Sequence, residues 1–306
     1  MNILLLSPIS LEAIEYLKIN HTLEIQYDFG LDTLKDRSQT EIVITRSGPT
    51  LNQVFLEIMP QLRAVIRAGS GIDNIDIDFL KRKSIPLYQV TNFHANPVAE
   101  LAVGLFIDLA RKITHLDKSM RNGLWEKNKR LGMEINGKIL GIVGMGKIGM
   151  RLAGLFQGWE INILGLVKNY SEDRKKKFAD KGIELVESKY EIAEKADLIA
   201  ITLPLNDETR LLIDFEFLRR MKKTVLIVNV GRGATIDENA LFDYLSKNSF
   251  SAAALDVHMN EGSRSKFVGL DNVILTPHIG SSTKETEILI GKEIIRIINS
   301  IQLKGI

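Results

Sequence analysis

The chain has 306 residues, 45% hydrophobic and 25% charged, with 40 basic against 38 acidic side chains. At roughly 150 residues per domain this suggests about two globular domains, long enough to bury a core without covalent staples. The near-balanced charge argues against a nucleic-acid or anionic-membrane partner. The absence of cysteine excludes disulfides, thiolate metal sites, iron–sulfur clusters and a thiol nucleophile.

In chain order, the opening MNILLLSPIS has an apolar run too short for a signal-peptide core, and no stretch is long enough to span a bilayer. A cytoplasmic protein without a metal is expected. Strands are predicted at 3–6, 22–27, 42–45 and 64–68, with amphipathic segments at 12–18 and 51–58 between them. Such alternation argues for βαβ units and a parallel sheet, closing near 86–90. Asn96 and Pro97 read as an N-cap and a first-turn proline. Val98, Leu101, Ala102, Leu105, Phe106, Leu109 and Ile113 then share one helical face. A polar segment, 114–137, leads to a second series of strands at 139–143, 161–167, 198–203, 225–230, 252–257 and 273–276. Helices fit between most of them, for example at 237–246, and a last amphipathic helix is predicted at 284–301.

Between the first strand of this second series and a helix lies GMGKIG, residues 144–149. In that setting Gly144 allows the tight turn, Gly146 lets backbone approach a pyrophosphate, and Gly149 lets helix pack on strand. The amides opening the helix bind the anion, and Ala153 keeps its packing side small. A NAD site usually carries an acidic residue at the end of the next strand. Here Val167 stands there, followed by Lys168, and the window 168–177 holds Lys168, Arg174, Lys175, Lys176 and Lys177. A 2′-phosphate would be welcome beside them; a solvated basic helix start explains them equally well.

Three later strands lead into polar residues. One reaches Gly231, Arg232 and Gly233; one ends at Asp256, with Glu261 five residues on; one leads to Pro277 and His278. In an open parallel sheet the crevice lies beyond the carboxyl ends of the strands, so these residues are expected to converge. Oxidising a 2-hydroxy acid needs a base for the hydroxyl proton and a cation for the carboxylate. An imidazole titrating near neutrality suits the first task, His278, and a guanidinium fork the second, Arg232. Glu261, if bonded to His278, would orient the ring. Taken singly, each has a plainer reading as a loop histidine or a turn.

At these residues the chain resembles the D-2-hydroxyacid dehydrogenase family. Five blocks carry the resemblance in order: RAGSGIDNID (67–76), GKILGIVGMGKIG (137–149), NVGRGATID (229–237), ALDVHMNE (254–261) and TPHIGSST (276–283). Within it, SMRNGLWEKNKRLGMEINGK (119–138), TRSG (45–48), IRAGSG (66–71) and HIGSSTKE (278–285) are most similar to the phosphoglycerate-oxidising branch.

The resemblance implies an α/β fold of two doubly wound parallel-sheet domains. A Rossmann cofactor domain, 96–283, is inserted in a flavodoxin-like substrate domain, 1–95 plus 284–306. It implies a nicotinamide cofactor, NAD or NADP, and hydride exchange with a D-2-hydroxy acid, foremost 3-phosphoglycerate. Glyoxylate or hydroxypyruvate reduction is the alternative, and a dinucleotide-sensing corepressor the more distant one. Arg232, Glu261 and His278 become the catalytic set, with Asp256 on the nicotinamide carboxamide. Cofactor contacts extend over Gly144, Gly146, Lys147, Ile148, Gly149, Val167 and Lys168. They continue with Leu203, Pro204, Thr209, Val230, Gly231, His278 and Gly280. Ser70 and Gly71 offer amides to the substrate carboxylate; Arg46 and Arg67 face its phosphate, unless they serve ion pairs. A homodimer through the cofactor domains is implied, with no nucleic-acid or membrane partner. With the chain ending at Ile306, no C-terminal regulatory domain is expected. The chain departs from the family at Val167, at His258 where phenylalanine is common, at Gly262 where proline is common, and at His94 and Pro97 in a loop usually rich in asparagine and serine.

Overall fold

The structure, a computed structural model, describes residues 1–27, 36–46, 48–69, 71–129 and 131–303. It divides into two compact units, Met1–His94 with Ser282–Ile306, and Ala95–Ser281. The first division falls one residue ahead of that expected, where Ala95 already opens a helix, and the second falls two ahead.

In the first unit β1 (Asn2–Leu5), α1 (Leu11–Asn20), β2 (Thr22–Ile25), β3 (Ile42–Thr45), α2 (Gln53–Glu57), β4 (Ala64–Arg67), α3 (Ile77–Arg82) and β5 (Leu87–Gln89) follow one another. The strands form one parallel sheet in the order β2-β1-β3-β4-β5. Its interior strands read as continuous apolar runs because both faces are covered. Alternate residues serve opposite faces. Ile3, Leu5, Ile42, Ile44 and Ile66 meet α1 and the C-terminal helix Lys284–Leu303, through Ala13, Leu17, Ile290, Ile294 and Ile298. Leu4, Val43 and Val65 meet α2 and α3 through Leu56, Phe79 and Leu80. Ser10 caps α1 by accepting from the Ala13 N–H.

The second unit opens with α4 (Ala95–Arg111) and α5 (Ile113–Arg121). It continues with β6 (Ile139–Val143), α6 (Lys147–Leu155), β7 (Asn162–Leu166), α7 (Glu172–Ala179), β8 (Ile183–Val186), α8 (Lys189–Lys195) and β9 (Leu198–Ile201). Then come α9 (Phe215–Arg220), β10 (Leu226–Asn229), α10 (Glu238–Lys247), β11 (Ala252–Leu255) and β12 (Val273–Leu275). The seven strands pair in parallel in the order β12-β11-β10-β9-β6-β7-β8. The order reverses between β6 and β9, which is where a crevice opens at the carboxyl ends of a doubly wound sheet. Leu140, Ile142, Ala200 and Val228 pack toward α4 and α6; Ile199, Ile201, Ile227 and Ala253 pack with Ile192, Phe217 and Leu241 on the other face.

Three local readings need correction. Asn96 is not an N-cap: it lies inside the first turn of α4, where its side chain donates to Glu100 and accepts from Arg151 Nε at 2.6 Å. Pro97 still sits where a missing N–H costs nothing, since the first four helical amides have no intrahelical partner. The segment read as polar contains α5, set off from α4 by Lys112 in the left-handed region (φ 56°). Strand β8 went unpredicted; it is a short edge strand with Glu184 exposed at its centre.

Candidate functional site

The glycine loop has the geometry its spacing implies. Gly144 adopts φ 109°, a conformation glycine reaches without a Cβ penalty, and its carbonyl accepts from Thr202 Oγ1 at 2.5 Å. A Cβ on Gly146 would project into open space, whereas one on Gly149 would collide with the Gly144 carbonyl. Gly146 opens α6 and supplies no capping side chain, so the first-turn amides are free of a side-chain cap and suit an anion. Lys147 and Gly146 are exposed, Ile148 is half-buried and Gly149 is buried. These features fit a dinucleotide pyrophosphate.

At the end of β7, Val167 is buried in the core against the α4 side of the sheet. The two nearest cations by sequence have protein partners. Lys168 Nζ lies 2.6 Å from the Glu208 carboxylate, and Arg174 donates to the Asn169 carbonyl at 3.0 Å. Thr209 turns its hydroxyl inward to the Pro204 carbonyl at 2.7 Å. Leu203 is half-buried, and its backbone oxygen would stand 2.6 Å from a Cβ on Gly231, so Gly231 is a close-packing position and not merely a turn. Val230 beside it is buried.

The loops after β10, β11 and β12 are held together by hydrogen bonds. Asn229, 1% exposed, accepts from the Gly231 N–H at 3.0 Å and donates to the Arg232 carbonyl at 3.1 Å. The same carbonyl accepts from Thr235 Oγ1. Arg232 is thus presented in extended conformation from a loop fixed at both ends, with Nη1 donating to the Gly231 carbonyl at 2.7 Å. A Cβ on Gly233 would collide with the His258 backbone, which locks this loop against the next.

His278 Nδ1 and Glu261 Oε1 are 2.8 Å apart. His278 adopts φ 53°, a left-handed conformation costing a non-glycine residue of order 1–3 kcal/mol and held only where the surroundings over-determine it. Asp256 is a large part of that restraint. Its carboxylate is 1% exposed and accepts from Thr276 Oγ1 at 2.7 Å, the Ile279 N–H at 2.8 Å and the Gly280 N–H at 2.9 Å. Its carbonyl also accepts from the His278 N–H at 2.8 Å. Both Asp256 oxygens therefore serve the His278 loop, a role in loop geometry beside the one expected on the carboxamide. Gly262, at φ 83°, holds a conformation closed to the proline common there.

Glu261 is partly shielded from solvent, which opposes its ionised form. The hydrogen bond from His278, with the charges of His278, Arg232 and His258, outweighs it and leaves the carboxyl below its ordinary range. A depressed carboxyl is ionised, and its stabilising pairing present, above the free glutamate value; both are lost as pH falls through the folded value. A carbon-detected NMR titration is expected to place the Glu261 midpoint below about 4.3, the free glutamate value; a midpoint above it would contradict the pairing.

In the first unit, Arg46 follows β3 and forms an ion pair with Glu287, while its N–H donates to Ser7 Oγ at 3.0 Å. Arg67, 9% exposed, donates from Nε to the Gly71 carbonyl at 2.6 Å. Both arginines thus have partners within their own unit. Ser70 lies outside the described residues. His94 is buried, and its ring is held below the usual histidine range by that burial first and then by the charge of Arg46. Sequence reasoning missed Asn229 and Thr276, whose work is done by hydrogen bonds that no spacing announces.

Residues 103–280 match the model of the D-isomer specific 2-hydroxyacid dehydrogenase, NAD binding domain. The chain is 34% identical over 290 residues to D-3-phosphoglycerate dehydrogenase of Methanocaldococcus jannaschii, covering 94% of this chain and 55% of that one. It thus spans about half the length of the first curated relatives it matches. It is also 34% identical to hydroxypyruvate reductase of Thermotoga maritima, with 94% of each chain covered. Among solved structures, a glyoxylate reductase from Paecilomyes thermophila superposes with a TM-score of 0.86 at 27% identity, covering 100% of this chain and 96% of that one.

Proposed function

We propose that this chain, which belongs to the D-isomer specific 2-hydroxyacid dehydrogenase family, exchanges a hydride between a nicotinamide cofactor and a D-2-hydroxy acid. The observation that carries the reading is the His278–Glu261 pair at 2.8 Å, set beside Arg232 on loops at the carboxyl ends of the strands. The nicotinamide, when bound, supplies or accepts the hydride. In the reducing direction His278 gives its Nε2 proton to the carbonyl oxygen as hydride reaches the carbon; in the oxidising direction it takes the hydroxyl proton. Glu261 accepts from Nδ1 and keeps Nε2 facing the substrate. Arg232 holds the carboxylate with its planar fork.

For the substrate, the relatives and the TRSG and IRAGSG segments support 3-phosphoglycerate and its keto acid, with Arg46 and Arg67 on the phosphate. Hydroxypyruvate is the second reading: a relative matched over 94% of its length carries that name, and Arg46 is already paired with Glu287. A panel of 2-keto acids run with NADH and NADPH tests both. Reduction of none of them would refute the reaction. Equal efficiency with and without the phosphate would favour hydroxypyruvate.

On the cofactor, Val167 neither accepts ribose hydroxyls nor repels a 2′-phosphate, and Lys168 and Arg174 are engaged elsewhere. NAD and NADP are therefore expected to bind within about 100-fold of each other, or 2.7 kcal/mol. Val167→Asp is expected to move the preference toward NAD. A wild type excluding NADP a thousandfold, in titrations of both cofactors, would overturn this.

A homodimer through the second unit is supported by its exposed apolar side chains. Ile113, Met120 and Leu124 are more than half exposed, Trp125 is 74% exposed and Leu131 81%. Ile107, Ile113, Leu116 and Met120 line a groove between α4 and α5. Apolar grooves of this kind suit a contact surface. Light scattering at micromolar concentration is expected to give twice the chain mass, and Trp125→Glu to lower it; a monomeric wild type would refute the dimer. Among the described residues, no helix is long and apolar enough to cross a membrane; a cytoplasmic location is part of this proposal.

A further inference from the structure

His258 stands where the family pattern has phenylalanine, and its ring does something a phenyl ring does not. Its Nε2 lies 3.0 Å from the Thr276 carbonyl oxygen. A carbonyl only accepts, so Nε2 carries the hydrogen. We propose that His258 is a positioning residue, tying the His278 loop to the loops of Arg232 and Glu261 through this bond; the inference rests on the reading of His278 as the acid–base.

Thr276 is gripped on three sides. Its N–H donates to the Leu255 carbonyl at 3.0 Å, its hydroxyl to Asp256 at 2.7 Å, and its carbonyl accepts from His258. Two residues on, His278 holds its left-handed φ of 53°, which persists only where neighbours leave no relaxed alternative. The backbone of His258 is itself fixed, because Gly233 packs against it with no room for a Cβ. One residue thus touches the loop after β10 with its backbone and the loop after β12 with its ring, and lies on the loop that carries Glu261. His258 also bears on Glu261 by charge, helping to hold that carboxyl in its ionised form. The other ring nitrogen, Nδ1, is buried without a hydrogen-bond partner. Burying a polar atom unpaired is unfavourable, so the histidine is not there for packing alone; a phenyl ring would fill the space without that cost.

The test compares His258→Phe, which keeps the ring and loses the donor, with His258→Gln, whose amide N–H can replace it. In the phenylalanine variant kcat is expected to fall about tenfold, the loss of one hydrogen bond at a strained loop, with KM for the keto acid nearly unchanged. The acid limb of the kcat–pH profile is expected to move. Hydrogen exchange at the Ile279 and Gly280 amides is expected to quicken, and His258→Gln, which replaces the donor but not the charge, to recover most of the kcat and exchange changes. Should the phenyl ring prevent folding, His258→Leu serves the same comparison. A donor-less variant with wild-type kcat, pH profile and exchange overturns the proposal, as does a glutamine variant no better than it. Exchange is read without substrate, so a protein inactive on every keto acid sinks the reaction reading while the tether is still judged.

Discussion

Replacing His278 by alanine is expected to lower turnover by about two to four orders of magnitude, the usual worth of a positioned acid–base, while cofactor affinity stays near wild type. The ring touches Glu261 through Nδ1 at 2.8 Å, so its free nitrogen, Nε2, is the one left to meet substrate. The loop itself should survive the substitution. Its anchors to Asp256 are the backbone N–H groups of residues 278, 279 and 280, which alanine retains. Alanine tolerates the left-handed φ poorly, so His278→Asn, a residue that visits that region more readily, separates lost chemistry from lost geometry. Both variants should be equally inactive and should differ in Tm. Near-normal turnover in either one would remove His278 from the reaction.

Loss of Arg232 is expected to act on binding and rate together. Two charge-assisted bonds at about 1.5–3 kcal/mol each put the fall in kcat/KM for Arg232→Ala at about two to four orders of magnitude. Arg232→Lys should recover little, because an ammonium keeps the charge without the planar fork. The loop carrying the residue is fixed by Asn229 and Thr235 through its backbone carbonyl, so neither change should disturb its path. Arg232 also helps to keep Glu261 ionised; its removal should therefore raise the Glu261 midpoint, a shift visible by NMR without any substrate. Wild-type kinetics in Arg232→Lys would count against the fork.

Much of this was legible because it lies in local pattern. Most of the strands that were found, such as β1, β3, β6, β9 and β10, are apolar runs buried on both faces, and GMGKIG declares itself between a strand and a helix. What escaped was marked by weak or non-local signals. Strand β8 is four residues with a charge in the middle. Helix α5 buries only Ser119, although Ile113, Leu116 and Met120 keep helical spacing and in hindsight give it away. The partners of Arg46, Lys168 and Asp256 were not readable, because Glu287, Glu208 and Gly280 reach them through the fold and not through the sequence. The resemblance carried the catalytic trio; the hydrogen bonds that hold Asn229, Thr276 and His258 in place are properties of this chain's own packing.

The return of the C-terminal helix to the first sheet has a consequence for the order of synthesis. Ile290, Ile294, Ile297, Ile298 and Ile301 occupy the same core as Ile3, Leu5, Ile42 and Ile66. Chains emerge from the ribosome amino end first and fold by domains. Residues 1–94 are therefore made before the helix Lys284–Leu303, and the face of their sheet that it shares with α1 stays only partly covered until that helix leaves the exit tunnel. The inserted unit, Ala95–Ser281, is complete before then. The first unit thus begins before the inserted one and acquires its finished core after it.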